Sequence, residues 1–496
     1  MTRPAPPHPD YEVVIGLEVH VHLATESKLF SPAPVRYGDA PNHDVHPVDL
    51  GLPGVLPVLN ARAVELGVRA ALATGCKVHP RSIFARKNYF YPDLPKGYQI
   101  SQYEEPLATG GSVEFRIGDR ELRVGLTRIH LEEDAGKSIH EVAIAGHEGS
   151  HVDLNRAGVP LLEIVSEPEL RSPEEAGAYL RALRQILRYT GVSDAELEKG
   201  QFRCDANVSL RPHGAAALGT RTELKNLNSF RFVEEALHAE IRRQAAILDS
   251  GGAVQQATMH YDPARGSTRV MRSKENADDY RYFPDPDLIP LALDPAAVEV
   301  VARALPELPG AKRSRFEREY GLSAHDAGVL AESRARADFF EAAVRCASES
   351  RAAPGAPGRS VANWMLRDVL AELKEGDREI DATRLTPEAL AALIGLVEQG
   401  RVTAANARPL VADLVERGGD PEALVRERGL EAVSDAGLLE RAADEAIAAH
   451  PDVAAQVRAG EAKGLNFLMG QVMKRTGGRA DPKAVREILS RRLQGR

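Results

Sequence analysis

The chain has 496 residues, a net charge of −9 and three cysteines, Cys76, Cys204 and Cys346, none in a CxxC pair. This argues against a global basic field for nucleic acid, a disulfide framework and a cysteine zinc site, and it fits a reducing cytoplasm. No run of about 18 apolar residues predicts a membrane span, and the opening MTRPAPPHPD lacks a signal-peptide core, so the expectation is a soluble cytoplasmic protein of roughly two to four domains.

The first predicted element is a strand over Tyr11 to Leu23, YEVVIGLEVHVHL. At a period of two, Leu17, Val19, Val21 and Leu23 face one way while Glu18, His20 and His22 face the other. An acid and two imidazoles on a strand need partners or water, because burying them alone is costly. Next comes ARKNYFYPDLPKGYQIS, 85 to 101, a loop held by Pro92 and Pro95 that carries Lys87, Asp93 and Lys96. In LTRIHLEEDAGKS, 126 to 138, His130 and Glu132 share a strand face and Glu133 and Asp134 follow, supplying carboxylates of the kind Mg²⁺ prefers. Its GKS ending is no phosphate loop, since Leu131 stands where a glycine is required.

RCDANVSLR, 203 to 211, alternates Arg203, Asp205, Asn207, Ser209 and Arg211 with Cys204, Ala206, Val208 and Leu210, a strand with one wholly polar face. In TELKNLNSF, Glu223 and Lys225 share a face of another strand, and YRYFPDPDLIPL closes the front half at 280 to 291. Any one of these stretches is as well explained by a solvated strand face. Together they predict a polar cleft for a metal, a nucleoside triphosphate and an acceptor, an inventory suited to phosphoryl transfer. Residue chemistry alone reaches Mg²⁺-dependent handling of a phosphate or carboxylate.

The text is strand-like to about Leu293 and helical from Pro295, which predicts an α+β chain with an α+β or β-rich front and an all-α back. Joints are expected at the Pro/Gly stretch 351 to 360, before Trp364 and Met365, and near Gly418 and Gly419. The end reads as helix, Gly-Gly turn, helix, with an apolar stripe of Leu465, Leu468, Met469, Val472 and Met473. Lys474, Arg475, Arg479, Lys483, Arg486, Arg491, Arg492 and Arg496 there face only Asp481 and Glu487, which is either a nucleic-acid contact or a solvated charged face.

The series IGLEVHVHL, KNYFYPDLPKGYQISQ, HLEEDAGK, NRAGVPLLEIVSEPEL, RCDANVSLR, TELKNLNSF, YFPDPDLIP and KGLNFLMGQVMK, in order from about Tyr11 to Leu493, resembles the B subunit of the aspartyl/glutamyl-tRNA amidotransferase family. The resemblance implies a β-rich cradle catalytic domain over 1–294, a helical domain over 295–425 and a basic helical tail over 426–496 that contacts tRNA. It implies ATP- and Mg²⁺-dependent phosphorylation of the side-chain carboxylate of Glu-tRNA(Gln) or Asp-tRNA(Asn), then amidation with ammonia from an amidase A subunit, a small C subunit completing a heterotrimer. Glu18, His20, Glu132 and Glu133 fall on the family's metal site, with Glu18, His20, Lys87 and Glu133 at the reaction centre. Arg203, Asp205, Asn207, Ser209, Glu223 and Lys225 line the nucleotide and acceptor pocket.

Two departures bear on the site. Many relatives have Gln where His22 stands, so His22 is not counted as a ligand. Some relatives bind zinc through four cysteines where this chain has Ser31, Ala33, His46 and Asp49, a set that cannot form a cysteine site, so no zinc is expected. The alternatives are a non-catalytic tRNA-binding scaffold, which has no need of Glu18, His20 and Glu133, and a stand-alone ligase acting on a small metabolite, which the basic tail disfavours.

Overall fold

A computed structural model describes residues 10–139, 149–227, 229–273, 280–349, 356–433, 436–459 and 462–494. The strand Tyr11–His22 forms as its alternation dictates, with Val13, Ile15, Leu17, Val19 and Val21 buried and Glu18, His20 and His22 on the opposite face. It lies inside a 10-stranded sheet. Across that sheet the order runs Ser267–Ser273, Ala257–Asp262, Thr222–Leu227, Phe202–Pro212, Tyr11–His22, Pro160–Ser166, Arg120–Glu133, Ala108–Thr109 and Lys77–Val78. Ser112–Ile117 pairs with Arg120–Glu133 as a hairpin. The only parallel pairing among these strands joins Thr222–Leu227 to Ala257–Asp262, and the helix Phe230–Asp249 is the crossover such a pairing needs.

That helix, with Ala61–Ala73 and Pro173–Tyr189, covers one face of the sheet: Ile15, Leu17 and Val19 share a core with Leu66, Tyr179, Leu183 and Leu237. Each helix starts on a side chain that satisfies its first free N–H groups. The Ser172 hydroxyl accepts from the Glu175 N–H at 3.1 Å with Pro173 in the first turn, and Ser229 accepts from the Phe232 N–H at 3.1 Å. The front half is therefore α+β within itself, the first of the two expected alternatives. PEEAGAYLRALRQILRY has apolar spacings of three and four, and Tyr179, Leu180, Leu183 and Leu187 are fully buried. With one face covered, the other is free to be polar.

Two buried charge groups brace this unit. Lys28 and Asp49 form an ion pair at 3.0 Å with both side chains almost wholly buried, and His46 caps the short helix Pro47–Leu50. Residues 46 and 49 thus have structural partners, and Ser31 and Ala33 are buried. On the far side, the buried Glu240 carboxylate accepts from Thr222 and Thr268 at 2.7 Å each and from Arg243 at 2.6 Å, tying its helix to two strands.

The chain divides into two compact units, one ending at Gly310 and one starting at Ala311. The expected joint at 294/295 precedes the helix Pro295–Arg303, which stays with the first unit, and the expected joint at 425/426 falls inside the helix Pro421–Glu427. Of the expected Pro/Gly joint, residues 351–355 lie outside the described residues, as do Asn228 of TELKNLNSF and Arg496 of the basic end. Trp364 ends the helix Pro357–Trp364, and the chain runs on as a π-helical turn, Met365–Val369.

In the second unit, the last helices, Ala436–Ala449, Pro451–Arg458, Ala462–Arg475 and Pro482–Gln494, enclose their own apolar cluster. It takes in Leu465, Leu468, Met469, Val472 and Met473, the predicted stripe. The basic end is partly neutralised: Arg475 pairs with Glu445 at 2.9 Å, and Arg491 and Arg492 both pair with Glu440. Lys474, Lys483 and Arg486 are exposed. Among the described residues no helix is long and apolar enough to cross a membrane.

Candidate active site

The open face of the sheet gathers its charges because antiparallel register sets same-face residues of neighbouring strands opposite one another. Glu18 stands opposite Asp205, His20 lies between Arg203 and Glu163, and Glu163 in turn faces His130. The His20 Nε2 lies 3.4 Å from Glu163, 3.7 Å from Glu18 and 3.7 Å from Glu132. His130 lies 3.5 Å from Glu163 and 3.7 Å from Glu132, and the Ser101 hydroxyl donates to Glu132 at 3.0 Å. Arg128 reaches the other Glu163 oxygen at 3.3 Å.

The protonation states follow from this crowding. Burial works against a charge on His20, but the hydrogen bond and charge of Glu163, then the charges of Glu18 and Glu132, push its pKa up to about 9. His20 is therefore an imidazolium at neutral pH. Burial works against the Glu163 charge too, yet His130, His20 and Lys87 hold it well below the usual carboxylate range, whereas burial and the Glu163 charge push Glu18 up.

Lys87 lies at the edge of this group. Its Nζ sits 4.9 Å from the centre of the Tyr280 ring and 5.9 Å from that of Tyr89. Burial alone would discharge it, but Tyr282, Glu132 and Glu163 raise its pKa and keep it a cation. Glu133 does not join the cluster. As the strand neighbour of Glu132 it points to the other face, where it accepts from Lys96 and, at 2.8 Å, from the Ile100 N–H.

Of the predicted pocket residues, Asp205 and Lys225 pair at 2.5 Å beside Glu18, and Glu223 lies 3.5 Å from Lys225. Arg203 instead donates to Asp134 at 3.0 Å, and the same carboxylate holds His22 at 2.7 Å, a second polar rung beside the first. Asn207 and Ser209 continue the polar face opposite Gly16 and Val14, so Ser209 is four residues, roughly 14 Å, along the strand from Asp205. Among the described residues the buried Oδ1 of Asn207 has no hydrogen-bond partner.

Sequence reasoning missed Glu163 as a site member, named Asp134 only as a candidate carboxylate without its partners His22 and Arg203, and did not bring the tyrosines at 280 and 282 to Lys87. Glu163 did leave a signal, being the only charge in the otherwise apolar and Ser-ended strand PLLEIVS.

Two overlapping sets of ligand atoms, Glu18–His20–Asp205 and His20–Glu132–Glu163, each lie within 4.8 Å of one another. The oxygen-rich donor set suits a hard divalent ion such as Mg²⁺, whose charge would replace that of the proton on His20 among the same carboxylates. Fold and site together define a one-sided sheet protein whose open face is a carboxylate-lined, cation-seeking cradle beside a charged lysine.

Comparison with known proteins carries this further. Residues 13–299 match the model of the GatB/GatE catalytic domain, and residues 338–493 that of the GatB domain. The chain is 51% identical over 486 residues to a protein of Halorhodospira halophila, covering 98% of this chain and 99% of the relative. It is 52% identical over 489 residues to one of an Anaeromyxobacter species, covering 99% and 100%. It is 50% identical over 490 residues to one of Bordetella petrii, covering 98% and 100%. Each of the three is named as the B subunit of an aspartyl/glutamyl-tRNA(Asn/Gln) amidotransferase. The chain belongs to the GatB family.

Proposed function

We infer that this chain is the carboxylate-activating B subunit of a tRNA-dependent amidotransferase, a ligase that converts Glu-tRNA(Gln) or Asp-tRNA(Asn) to the amide form. The near-full-length relation to proteins of that name carries the reading. The cluster around His20 supports it: a non-catalytic scaffold has no use for three carboxylates gathered on two imidazoles beside a charged lysine.

A side-chain carboxylate cannot exchange its oxygen for nitrogen directly, because oxide is no leaving group. Transfer of the γ-phosphoryl of ATP to the carboxylate oxygen makes an acyl phosphate. Ammonia, released from glutamine by an amidase A subunit, then attacks the carbonyl carbon; phosphate leaves, and the nitrogen gives up a proton. Bound Mg²⁺ would supply charge neutralisation for the triphosphate, held by Glu18, Asp205, Glu132 and Glu163 around His20.

The chain's own residues do the positioning. Lys87, kept charged by Glu132, Glu163 and its tyrosine neighbours, is the cation that would meet negative charge building on the transferring group. Lys225 and Arg203, paired with Asp205 and Asp134, hold further positive charge along the same face. The exposed Lys474, Lys483 and Arg486 of the last helices suit the body of the tRNA.

The test is amide formation on Glu-tRNA(Gln) by the chain co-purified with its A and C partners, with ATP, Mg²⁺ and ammonium chloride as donor. Ammonium bypasses the partner's glutaminase, so Glu18→Gln and His20→Ala should each lose product in assembled complexes. Wild-type-like product from both would remove the opening strand from the chemistry.

A further inference from the structure

Five of the chain's 12 tyrosines stand in one row beside the site. Their ring centres follow one another at 6.1 Å from Tyr91 to Tyr89, 6.1 Å from Tyr89 to Tyr280, 6.2 Å from Tyr280 to Tyr282 and 4.2 Å from Tyr282 to Tyr103. The last pair is stacked nearly parallel, at 8°. The Lys87 ammonium lies against the middle of the row, over Tyr280 and Tyr89. Both ends open to solvent: Tyr91 is 51% and Tyr103 40% exposed.

A packing cluster would hide its rings, but in this row the middle three are only half-buried and the two ends are exposed. The loop carrying Tyr91 is also built to stay in place. The Leu94 N–H donates to Tyr91 and the Gly97 N–H to Leu94, both at 3.0 Å, while Gly136 bonds Asp93 at 2.8 Å. Gly97 has a left-handed φ of 75°, and a Cβ there would meet the neighbouring Phe90 ring at 3.2 Å. Between two members of the row in sequence, Arg281 is exposed at a φ of 51°.

Only the Tyr282–Tyr103 pair is stacked, the other three contacts being edge to face at 66°, 74° and 72°. Exposed rings held in place with the Lys87 cation beside them are what a single-stranded nucleic acid needs, since every base has a π-face and every linkage a negative charge. ATP brings one base; a row open at two ends on either side of Lys87 offers more than one seat. We propose that Tyr91 and Tyr103 stack the unpaired nucleobases at the 3′ end of the acceptor RNA and so deliver its terminal aminoacyl carboxylate to Lys87. This rests on the reading of the chain as a tRNA-dependent amidotransferase component and adds how the acceptor end is held.

The experiment uses the assembled complex with Glu-tRNA(Gln), ATP, Mg²⁺ and ammonium chloride, comparing Tyr103→Ala, Tyr103→Phe and Tyr91→Ala with wild type. Each alanine variant should raise the KM for the acylated RNA roughly 5- to 150-fold, the equivalent of ~1–3 kcal/mol per stacked base, with the KM for ATP within about twofold. Tyr103→Phe, which keeps the ring, should stay near the wild-type KM. An unchanged RNA KM in both alanine variants overturns the proposal, and so does an equal loss in Tyr103→Phe, which would make the hydroxyl the contact. A rise in the ATP KM instead assigns the row to the adenine of ATP, and failure of the alanine variants to assemble with the partners assigns it to a protein interface; either overturns the RNA seat. Absence of amide product from the wild-type complex counts against the amidotransferase reading itself, a separate outcome.

Discussion

Replacing Lys87 by Met is the sharpest test of how the cradle works. Met fills much of the lysine's volume between Tyr89 and Tyr280 but carries no charge, so Glu132 and Glu163 lose the cation that faces them. Structurally, Met gives up two cation–π approaches, together worth ~1–2 kcal/mol, and one of the four basic groups around Glu163. His20, His130 and Arg128 remain on that carboxylate, and the strand Ala85–Asn88 is still held by its neighbour Tyr98–Ser101. The catalytic cost is larger. Removing one preorganised charge from a desolvated centre, where it stabilises charge that develops during transfer, costs ~3–4 kcal/mol, or about 10²- to 10³-fold in kcat. Lys87→Arg should recover part of this, since guanidinium keeps the charge but is a planar fork in a space shaped for an ammonium. The assay is ammonium-dependent amide formation at saturating ATP, Mg²⁺ and acylated tRNA, on complexes shown by gel filtration to be assembled. A kcat for Lys87→Met within about threefold of wild type would refute the role.

Three further outcomes are expected. Glu163→Gln should raise the Mg²⁺ concentration for half-maximal activity by about tenfold or more, and Glu133→Gln far less, because only Glu163 lies in the His20 group; the reverse order in a Mg²⁺ titration would move the ion to the other face. Glu240→Ala strands Arg243, Thr222 and Thr268 and should cost ~3–5 kcal/mol in urea unfolding. Burial opposes the Glu240 charge, but hydrogen bonds from Arg243, Thr268 and Thr222 lower its folded pKa. Its contribution is thus full above the unfolded value of about 4.3 and fades as pH falls through the folded value, and a wild-type advantage that stays constant from pH 7 to pH 3 would contradict this. Substituting Lys474, Lys483 and Arg486 together by Ala should weaken tRNA binding at low salt and reduce the salt slope by ~3, whereas Arg475→Ala, already paired with Glu445, should do much less; equal effects in a salt-series titration would sink the distinction.

The strands were readable where alternation was strict. Leu17, Val19 and Val21 against Glu18, His20 and His22, and Arg203 to Arg211, announced both their period and their polar face. The helices Pro173–Tyr189 and Phe230–Asp249 were as periodic in their own way, but they sit between strands and were absorbed into a β-rich description. The site was legible only residue type by residue type. Which acids meet His20 depends on register between strands more than 100 residues apart in sequence, and no local pattern encodes register. That is why Glu132 and Glu133 read as equals, although a single step along the strand sends them to opposite faces.

The same register explains why Glu163 carries more of the site than its sequence setting suggests. Its strand, Pro160–Ser166, lies between Tyr11–His22 and Arg120–Glu133, with Leu161, Leu162 and Ile164 buried beside it. A lone carboxylate at such a place would cost several kcal/mol unless compensated, so it holds its charge only because His20, His130, Arg128 and Lys87 converge on it from three other strands. The compensation is mutual: the same carboxylate is the strongest influence keeping His20 protonated, and it helps keep Lys87 charged. Glu163 thus couples the ion-seeking group to Lys87, and its removal should disturb both ends of the site, where loss of Glu18 disturbs only one.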